Sequence, residues 1–314
     1  MDNLIFCLNA TIPIFLLMIL GLFFKNRGMF DEGFIRRMNT FVFKAALPVL
    51  LFRELSGADF LEVWDGRFVV FCFLATAISI LVSMGIAYCL PDRSIRGEFA
   101  QAAYRSSAAL LGIGFITNIY GNAGMAPLMI IGTVPLYNVM AVVILAFMKP
   151  EQTHMDRALI KGTLREIVTN PIILGIAAGM AWSALSLPQP EIMSKTLQYV
   201  ANLATPMGLM AMGAAFDGKL ALKHWKPALG CSVMKLVLFC AIFLPAAVKL
   251  GFRNSYLVAA LVMLGSPTTV SCFVMAKNMG HEGTVTSSAV MATTFLSAFT
   301  LTGWLYILRS MGLV

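Results

Sequence analysis

A polar interruption lies in the middle of an otherwise apolar segment, residues 256–278. The interruption consists of Gly265, Ser266, Pro267, Thr268 and Thr269. Proline cannot donate the backbone hydrogen bond that a helix requires, and glycine weakens a helix, so this run should end one. The break would free backbone groups next to three hydroxyl side chains, and such groups can bind a small ion or a polar ligand. The alternative is an ordinary proline kink, which membrane helices tolerate.

A weaker interruption of the same kind lies in the first half of the chain, at Ser106 and Ser107 within the apolar segment 99–119. An offset of 159 residues places these two serines opposite Gly265 and Ser266. Two broken helices at equivalent positions would meet near the middle of a bilayer. Their half-helix N-termini carry partial positive charge and free N–H groups, so the pair could hold an anion.

Four other polar side chains inside apolar segments are candidate site residues. Lys44 and Asn202 occupy equivalent positions in the two halves, Asn138 follows a tyrosine, and Lys235 lies in a later segment. A charge inside a membrane is costly and is a functional candidate by default. We expect Lys44, Asn138 and Asn202 to line the substrate site, and Lys235 to be a fixed cation or a coupling group. The alternatives are snorkelling of both lysines to the interface and a simple interhelical hydrogen bond for Asn138.

The two halves of the chain repeat each other. PIFLLMILG at 13–21 resembles PIILGIAAG at 171–179, and FVFKAALPVLLF at 41–52 resembles YVANLATPMGLM at 199–210. Both alignments have the same offset, which is difficult to obtain by chance. Because each half carries five apolar segments, an odd number, the second half would enter the membrane from the opposite face. The pattern therefore predicts an inverted repeat.

The composition is that of a membrane protein. Hydrophobic residues make up 59% and charged residues 12% of the chain, whereas soluble domains carry about 25% charged residues. Ten windows are apolar over about the length needed to cross a bilayer. They are 4–24, 35–52, 68–90, 99–119, 126–148, 168–187, 196–216, 228–250, 256–278 and 285–308.

These windows divide the chain into a first five-helix repeat at 1–148, a linker at 149–167 and a second repeat at 168–314. Lys and Arg are strongly biased to one set of alternate loops, which includes the linker. The positive-inside rule therefore predicts a cytoplasmic linker and both termini outside.

We expect a multi-pass protein of the plasma or inner membrane that contacts lipid. The net charge of +8 is explained by these loops and does not suggest nucleic-acid binding.

Other chemistries are poorly represented in the sequence. The three histidines lie in loops and the six cysteines lack the paired spacing of a metal site, so we expect no metal or other cofactor. We find no phosphate-binding loop and no nucleophile–base set, so we expect neither an ATP-driven pump nor an enzyme. Hydroxyls and freed carbonyls near 265–269 could bind Na⁺, whereas no carboxylate lies firmly within a span to carry H⁺. The coupling ion, H⁺ or Na⁺, stays open.

Three motifs resemble the auxin efflux carrier family, which includes plant PIN-type exporters and bacterial organic-acid permeases. They are KAALPVLLF at 44–52, LLGIGFITNIYGNAG at 110–124 and SPTTVSCFVMAKNMG at 266–280. The similarity extends over essentially the whole chain. Ser107 stands where the family pattern has asparagine, and Gly114 stands where it has proline.

The resemblance implies an all-α membrane protein whose ten transmembrane helices form two inverted five-helix repeats, with broken helices four and nine that cross. This fold is similar to bile-acid symporters and sodium/proton antiporters. The resemblance also implies a homodimer formed by a scaffold of spans one, two, six and seven. The implied function is elevator-type transport of small carboxylates such as malate, malonate or auxin-like acids. The alternative is a membrane-embedded ligand sensor or a passive channel on the same fold.

Overall fold

The computed structural model describes residues 2–56, 65–108, 115–117, 119–121, 124–150 and 157–314. Every regular element within these residues is helical. The helices of the first half are α1 (Asp2–Asn26), α2 (Glu32–Phe41), α3 (Leu47–Ser56), α4 (Gly66–Tyr88), α5 (Arg96–Tyr104) and α6 (Ala126–Phe147). Those of the second half are α7 (Arg157–Val168), α8 (Pro171–Ala184), α9 (Glu191–Ala214), α10 (Gly218–Lys223), α11 (Trp225–Val233), α12 (Phe239–Lys249), α13 (Ser255–Gly265), α14 (Ser271–Asn278) and α15 (Thr284–Ser310).

Two short π-helical turns join neighbouring helices into longer rods. Val42–Ala46 connects α2 to α3, and Met234–Leu238 connects α11 to α12. A π-turn widens the helix by one residue and often marks a functional position. Each turn carries one of the two lysines that the sequence analysis placed inside a span, Lys44 and Lys235.

All ten windows predicted from the sequence overlap helices. By length and hydropathy, four continuous stretches of the described residues could each cross a membrane: Gly66–Tyr88, Ala126–Phe147, Trp225–Lys249 and Thr284–Ser310. A fifth is the pair Lys161–Val168 and Pro171–Ala184, if this pair, bent by 50°, is one span. The protein is therefore helical with several apolar spans, as expected of a membrane protein. The ten-span inverted repeat stays a prediction.

One group of helices packs through glycines at which two backbones nearly touch. A Cβ atom placed on Gly213 of α9 would lie 2.0 Å from the carbonyl oxygen of Met18 in α1. A Cβ placed on Gly175 of α8 would lie 2.6 Å from the carbonyl oxygen of Pro48 in α3. Small residues allow such close approach between membrane helices. The helices α1, α3, α8 and α9 are thereby joined across the two halves of the chain.

The other helices pack around the two predicted interruptions. The helices α4, α5 and α6 contact one another, and α5 also contacts α11, α14 and α15. The helix α5 ends at Tyr104, and Arg105 after it has extended backbone angles. The helix α13 ends at Gly265, and α14 begins only at Ser271. The interruption predicted at Gly265–Thr269 is therefore present in the structure.

Candidate functional site

The two interruptions lie in direct contact. The hydroxyl oxygens of Ser106 and Ser266 are 2.6 Å apart and share a hydrogen bond. The backbone N–H of Ser107 donates to the carbonyl oxygen of Pro267 at 2.9 Å. A residue before proline is restricted to extended angles, which accounts for the extended backbone of Ser266. The two segments that the repeat aligned are thus brought together in space, with Ser106 in contact with Ser266 rather than with Gly265, which the offset of 159 places opposite it.

A small cavity of about 50 Å³ lies beside this contact. It has room for only a few water molecules. Helices α5, α6 and α14, with the residues that extend α5 and precede α14, supply Arg105, Ser106, Ser107, Ala108, Tyr137, Asn138, Thr269, Val270, Ser271 and Val274. The opposite wall is formed by Val42, Leu47, Leu50, Leu51, Glu54, Ile172, Ala204 and Thr205. One wall is therefore rich in hydrogen-bonding groups and the other is mostly apolar.

Among the described residues, Arg105 is the one charged residue on the polar wall of this cavity, and the sequence analysis did not propose it as a site residue. Its side chain is 1% exposed. Nη2 donates to Asn138 Oδ1 at 2.5 Å and to Ser271 Oγ at 2.7 Å. The guanidinium carbon also lies 5.6 Å from the centre of the Tyr137 ring, within the range of a cation–π contact. Arg105 directly precedes Ser106 inside the window 99–119.

Within the part of the chain that the structure describes, the charge of Arg105 has no carboxylate partner. The ion pairs found among the described residues are Lys25–Glu32, Lys149–Glu166 and Lys195–Glu191, all elsewhere. Glu54 lines the same cavity without forming an ion pair with Arg105. The buried Nε of Arg105 has no hydrogen-bond partner in the described part of the chain. Buried arginines are normally paired with an anion, so this guanidinium is available to bind one.

Backbone amides add further positive potential to the polar wall. Within the described residues, the N–H groups of Val270 and Ser271 have no hydrogen-bond acceptor, because α14 begins at Ser271. A helix N-terminus carries partial positive charge and favours anions. Thr269 and Ser271 contribute hydroxyls 3.2 Å apart at the same end of the helix. Arg105, these two hydroxyls and the start of α14 together form an anion-binding arrangement.

A second, much larger opening lies on the side of the molecule that is predicted to be cytoplasmic by the positive-inside rule. This vestibule has a volume of about 1400 Å³, and Asn39 and Asn278 line it. The side-chain amide of Asn278 donates to the carbonyl oxygen of Asn39 at 3.1 Å. Val42 and Val274, one helical turn further along the same two rods, line the small cavity. Only about one turn of protein therefore separates the vestibule from the cavity.

Sequence comparison gives the class of protein to which this arrangement belongs. The sequence model of the family described as membrane transport protein matches residues 6–305. The chain belongs to this membrane transport protein family. The auxin efflux carrier resemblance predicted from the sequence is thereby confirmed.

Relatives of this membrane transport protein carry names that refer to organic anions. A protein of Rhizobium meliloti (strain 1021), named as a proposed malonate transporter, is 27% identical over 87% of both chains. Auxin efflux carrier component 1 of Arabidopsis thaliana is 23% identical over 45% of this chain and 24% of its own length. Auxin efflux carrier component 3a of Oryza sativa subsp. japonica is 23% identical over 46% and 24%. The family and these names indicate a transporter rather than an enzyme.

Most of the predicted site residues of this membrane transport protein fall into two groups, those that line the cavity and those that are buried beside it. Ser106, Ser107, Asn138 and Thr269 line the cavity. Gly265, Ser266, Pro267 and Thr268 are buried beside it and hold the break in place. The Thr268 hydroxyl donates to the carbonyl oxygen of Ala102, and its N–H donates to Thr293 Oγ1. Thr268 therefore holds the helices around the cavity together through hydrogen bonds, and it is not among the residues that line the cavity.

Lys44 and Asn202 lie outside the cavity, contrary to the expectation that they line it. Both side chains are exposed on the surface of their helices. In the π-turn the neighbours Val42, Phe43 and Ala46 are buried, so Lys44 occupies the opposite face. On α9, Ala201 and Ala204 are buried, and Asn202 faces away in the same manner. Lys235, in contrast, is fully buried beside the Ser106 hydroxyl.

Proposed function

We propose that this protein is a secondary transporter of small organic anions and that a substrate carboxylate binds Arg105. The observation that carries the proposal is a fully buried guanidinium beside two interrupted helices, for which the described residues supply no carboxylate partner. Arginine presents a planar fork of donors that matches a carboxylate. The unpaired Nε–H would donate to one carboxylate oxygen, and Nη2 would turn from Ser271 to the other. The malonate and auxin names of the relatives support the same class of substrate.

The cavity walls support an elevator-type movement. The hydrogen-bonding groups come mainly from the bundle that contains α5, α6 and α14, whereas the π-turn Val42–Ala46 and helices α3, α8 and α9 present mostly apolar side chains. A bundle that carries its ligand past a smooth apolar wall breaks few polar contacts. We propose that the first bundle moves against a scaffold of α1, α2, α3, α8 and α9. The thin barrier formed by Asn39 and Asn278 separates the site from the vestibule.

The remaining architecture is proposed from the sequence and the family. We propose ten membrane-spanning helices in two inverted repeats, 1–148 and 168–314, with crossing helices four and nine and a cytoplasmic linker at 149–167. The protein lies in the plasma or inner membrane, and both of its termini are on the outer side. A homodimer through the scaffold stays a prediction of the resemblance.

Glu54 and Thr205 are the polar groups of the otherwise apolar scaffold wall of the cavity.

Counterflow in proteoliposomes tests the proposed function. Vesicles loaded with unlabelled malonate should accumulate radiolabelled malonate transiently if the protein exchanges substrate across a sealed membrane. Arg105→Met should abolish this uptake, because hydrogen bonds to a charged group are worth about 1.5–3 kcal/mol, or roughly 10- to 100-fold in affinity. The exposed Arg309 provides the matched control, Arg309→Met, which should retain uptake.

Three other outcomes would contradict the proposal. Malonate binding by the purified protein without flux into vesicles would favour a ligand sensor. Flux that neither saturates nor shows counterflow would favour a passive channel. Uptake that is unchanged in Arg105→Met would mean that the carboxylate binds elsewhere.

A further inference from the structure

Lys235 lies among oxygen atoms contributed by both interrupted helices. Its side chain is 1% exposed. Nζ donates to the carbonyl oxygen of Leu264 at 2.7 Å and to Ser106 Oγ at 2.9 Å. The carbonyl oxygens of Met263 and Tyr104 lie at 3.3 Å and 3.4 Å. Three backbone carbonyls and one hydroxyl therefore surround the end of this side chain.

The break in the helix explains why two of these carbonyls are free. In a continuous helix, Met263 and Leu264 would accept hydrogen bonds from the N–H groups of residues 267 and 268. Pro267 has no N–H group, and the N–H of Thr268 donates to Thr293 Oγ1 instead. The freed carbonyls lie at the C-terminal ends of α5 and α13, which carry partial negative charge. The interruption thus creates a concentrated group of acceptors inside the protein.

The surroundings of Lys235 within the described residues match a cation, because every partner of its ammonium group accepts a hydrogen bond. An ammonium group has three donors and no acceptor. The partners of Nζ in the described residues are all oxygen atoms, and none belongs to a carboxylate. Ser106, which receives one of these bonds, is then free to donate its own proton to Ser266 or to the carbonyl oxygen of Val262. The hydrogen-bond directions are consistent throughout the cluster.

Carbonyl and hydroxyl oxygens are also the ligands that unwound helices offer to sodium ions in transporters. We propose that the Lys235 ammonium occupies a monovalent-cation site between the two broken helices, so that the protein needs no sodium ion to form its anion site. A tethered cation removes the entropic cost of capturing one from solution. This inference builds on the proposed function, because it concerns the ion requirement of the same site.

The stability of the purified protein tests this inference without any substrate. Melting temperatures are measured for the wild type and for Lys235→Ser in NaCl, LiCl, methylammonium chloride and choline chloride at equal ionic strength. The wild type should melt at one temperature in all four salts. Lys235→Ser should be destabilised in choline chloride and recover several degrees in NaCl or methylammonium chloride, because a small cation can refill the vacated site. The exposed Lys249 gives the control Lys249→Ser, which should resemble the wild type.

Two results would overturn the inference. One is a Lys235→Ser variant that melts at the same temperature in all four salts, and the other is a wild type that NaCl stabilises over choline chloride. If Lys235→Ser does not fold in any salt, the wild type alone tests the inference. Its melting temperature and its malonate uptake are then each compared between NaCl and choline chloride. Equal uptake in the two salts supports a resident cation, and sodium-dependent uptake contradicts it. Absence of uptake in both salts would refute the proposed function, and the wild-type melting temperatures would still test Lys235.

Discussion

Nη2 of Arg105 donates a hydrogen bond to Ser271 Oγ at 2.7 Å, and this contact joins the end of one interrupted helix to the start of the other. Arg105 is the first residue after α5, and Ser271 is the first residue of α14. The same nitrogen also donates to Asn138 Oδ1 on α6. Three separate helices therefore fix the position of one buried cation. Such fixation is what a site needs to recognise a planar carboxylate.

We predict that Asn138→Leu raises the KM for malonate about tenfold or more while maximal uptake falls less. The substitution removes the acceptor that orients the guanidinium, and a hydrogen bond to a charged group is worth about 1.5–3 kcal/mol. The measurement is the concentration dependence of radiolabelled malonate uptake in proteoliposomes. Asn138→Asp keeps an acceptor at this position. It therefore separates the loss of the hydrogen bond to Arg105 from other effects of replacing the asparagine. If both variants transport like the wild type, Asn138 does not position Arg105.

The two neighbouring threonines should respond differently to the same substitution. We predict that Thr268→Val lowers stability by about 1–3 kcal/mol, because it leaves the buried carbonyl of Ala102 without its partner. Thr269→Val should lower stability less and malonate affinity more, because Thr269 lines the cavity and contacts Ser271. Thermal denaturation in detergent and malonate binding measure the two effects. Equal effects of both variants on binding and stability would contradict this division of roles.

Local chemistry explains which parts of the site could be predicted from the sequence. The break after Gly265 follows from the missing N–H of Pro267, which no tertiary context restores. The segments that contain Ser106 and Ser266 could be paired because the repeat aligns them, although the offset of 159 places Ser107, and not Ser106, opposite Ser266. Arg105 could not be placed in the same way. A basic residue near the end of an apolar window normally marks a loop, and only the early end of α5 turns this side chain inward.

Lys44 and Lys235 show why the sequence does not distinguish the two faces of a membrane helix. Each lysine lies in a π-turn surrounded by apolar residues. In water the apolar face of a helix marks its buried side, but in a bilayer the lipid-facing side is apolar as well. The neighbouring helices decide which lysine is buried, and that information comes from the fold. The same ambiguity affects Asn202, which is predicted to line the cavity because it occupies the position equivalent to Lys44.

The close contact between α1 and α9 provides a stability prediction. We predict that Gly213→Ala strongly destabilises the protein, because the new Cβ would lie 2.0 Å from the backbone carbonyl oxygen of Met18, which cannot move aside locally. Overpacking of this kind typically costs about 1–3 kcal/mol. Thermal denaturation of the purified protein measures the effect.

Gly85→Ala is the matched control for this substitution. Gly85 lies inside α4, and among the described residues no atom of another helix lies within 4 Å of a Cβ placed there. Alanine is a better helix former than glycine by about 1 kcal/mol, so this variant should be at least as stable as the wild type. A Gly213→Ala variant as stable as Gly85→Ala would show that α1 and α9 do not pack as described.

The loop between α14 and α15 gives a pH prediction through His281. Burial lowers the pKa of this imidazole below its ordinary value, the nearby Lys149 lowers it further, and the hydrogen bond to the Leu145 carbonyl opposes both. At 2.9 Å that carbonyl accepts from Nε2, and Nδ1 is buried without a partner in the described residues. Protonation would place an uncompensated charge on this ring. The unfolded chain therefore binds a proton more readily than the folded protein.

We predict that the stability contributed by neutral His281 is fully present above about pH 6.5, the ordinary pKa of histidine. It should be lost progressively as the pH falls from that value through the lower pKa of the folded state, because stability rises with pH wherever the unfolded state binds more protons. The measurement is the melting temperature of the wild type and of His281→Gln between pH 8 and pH 5. Glutamine can keep a donor toward Leu145 and does not titrate, so its melting temperature should fall less over this range. Parallel curves for the two proteins would show that His281 is not held neutral by its surroundings.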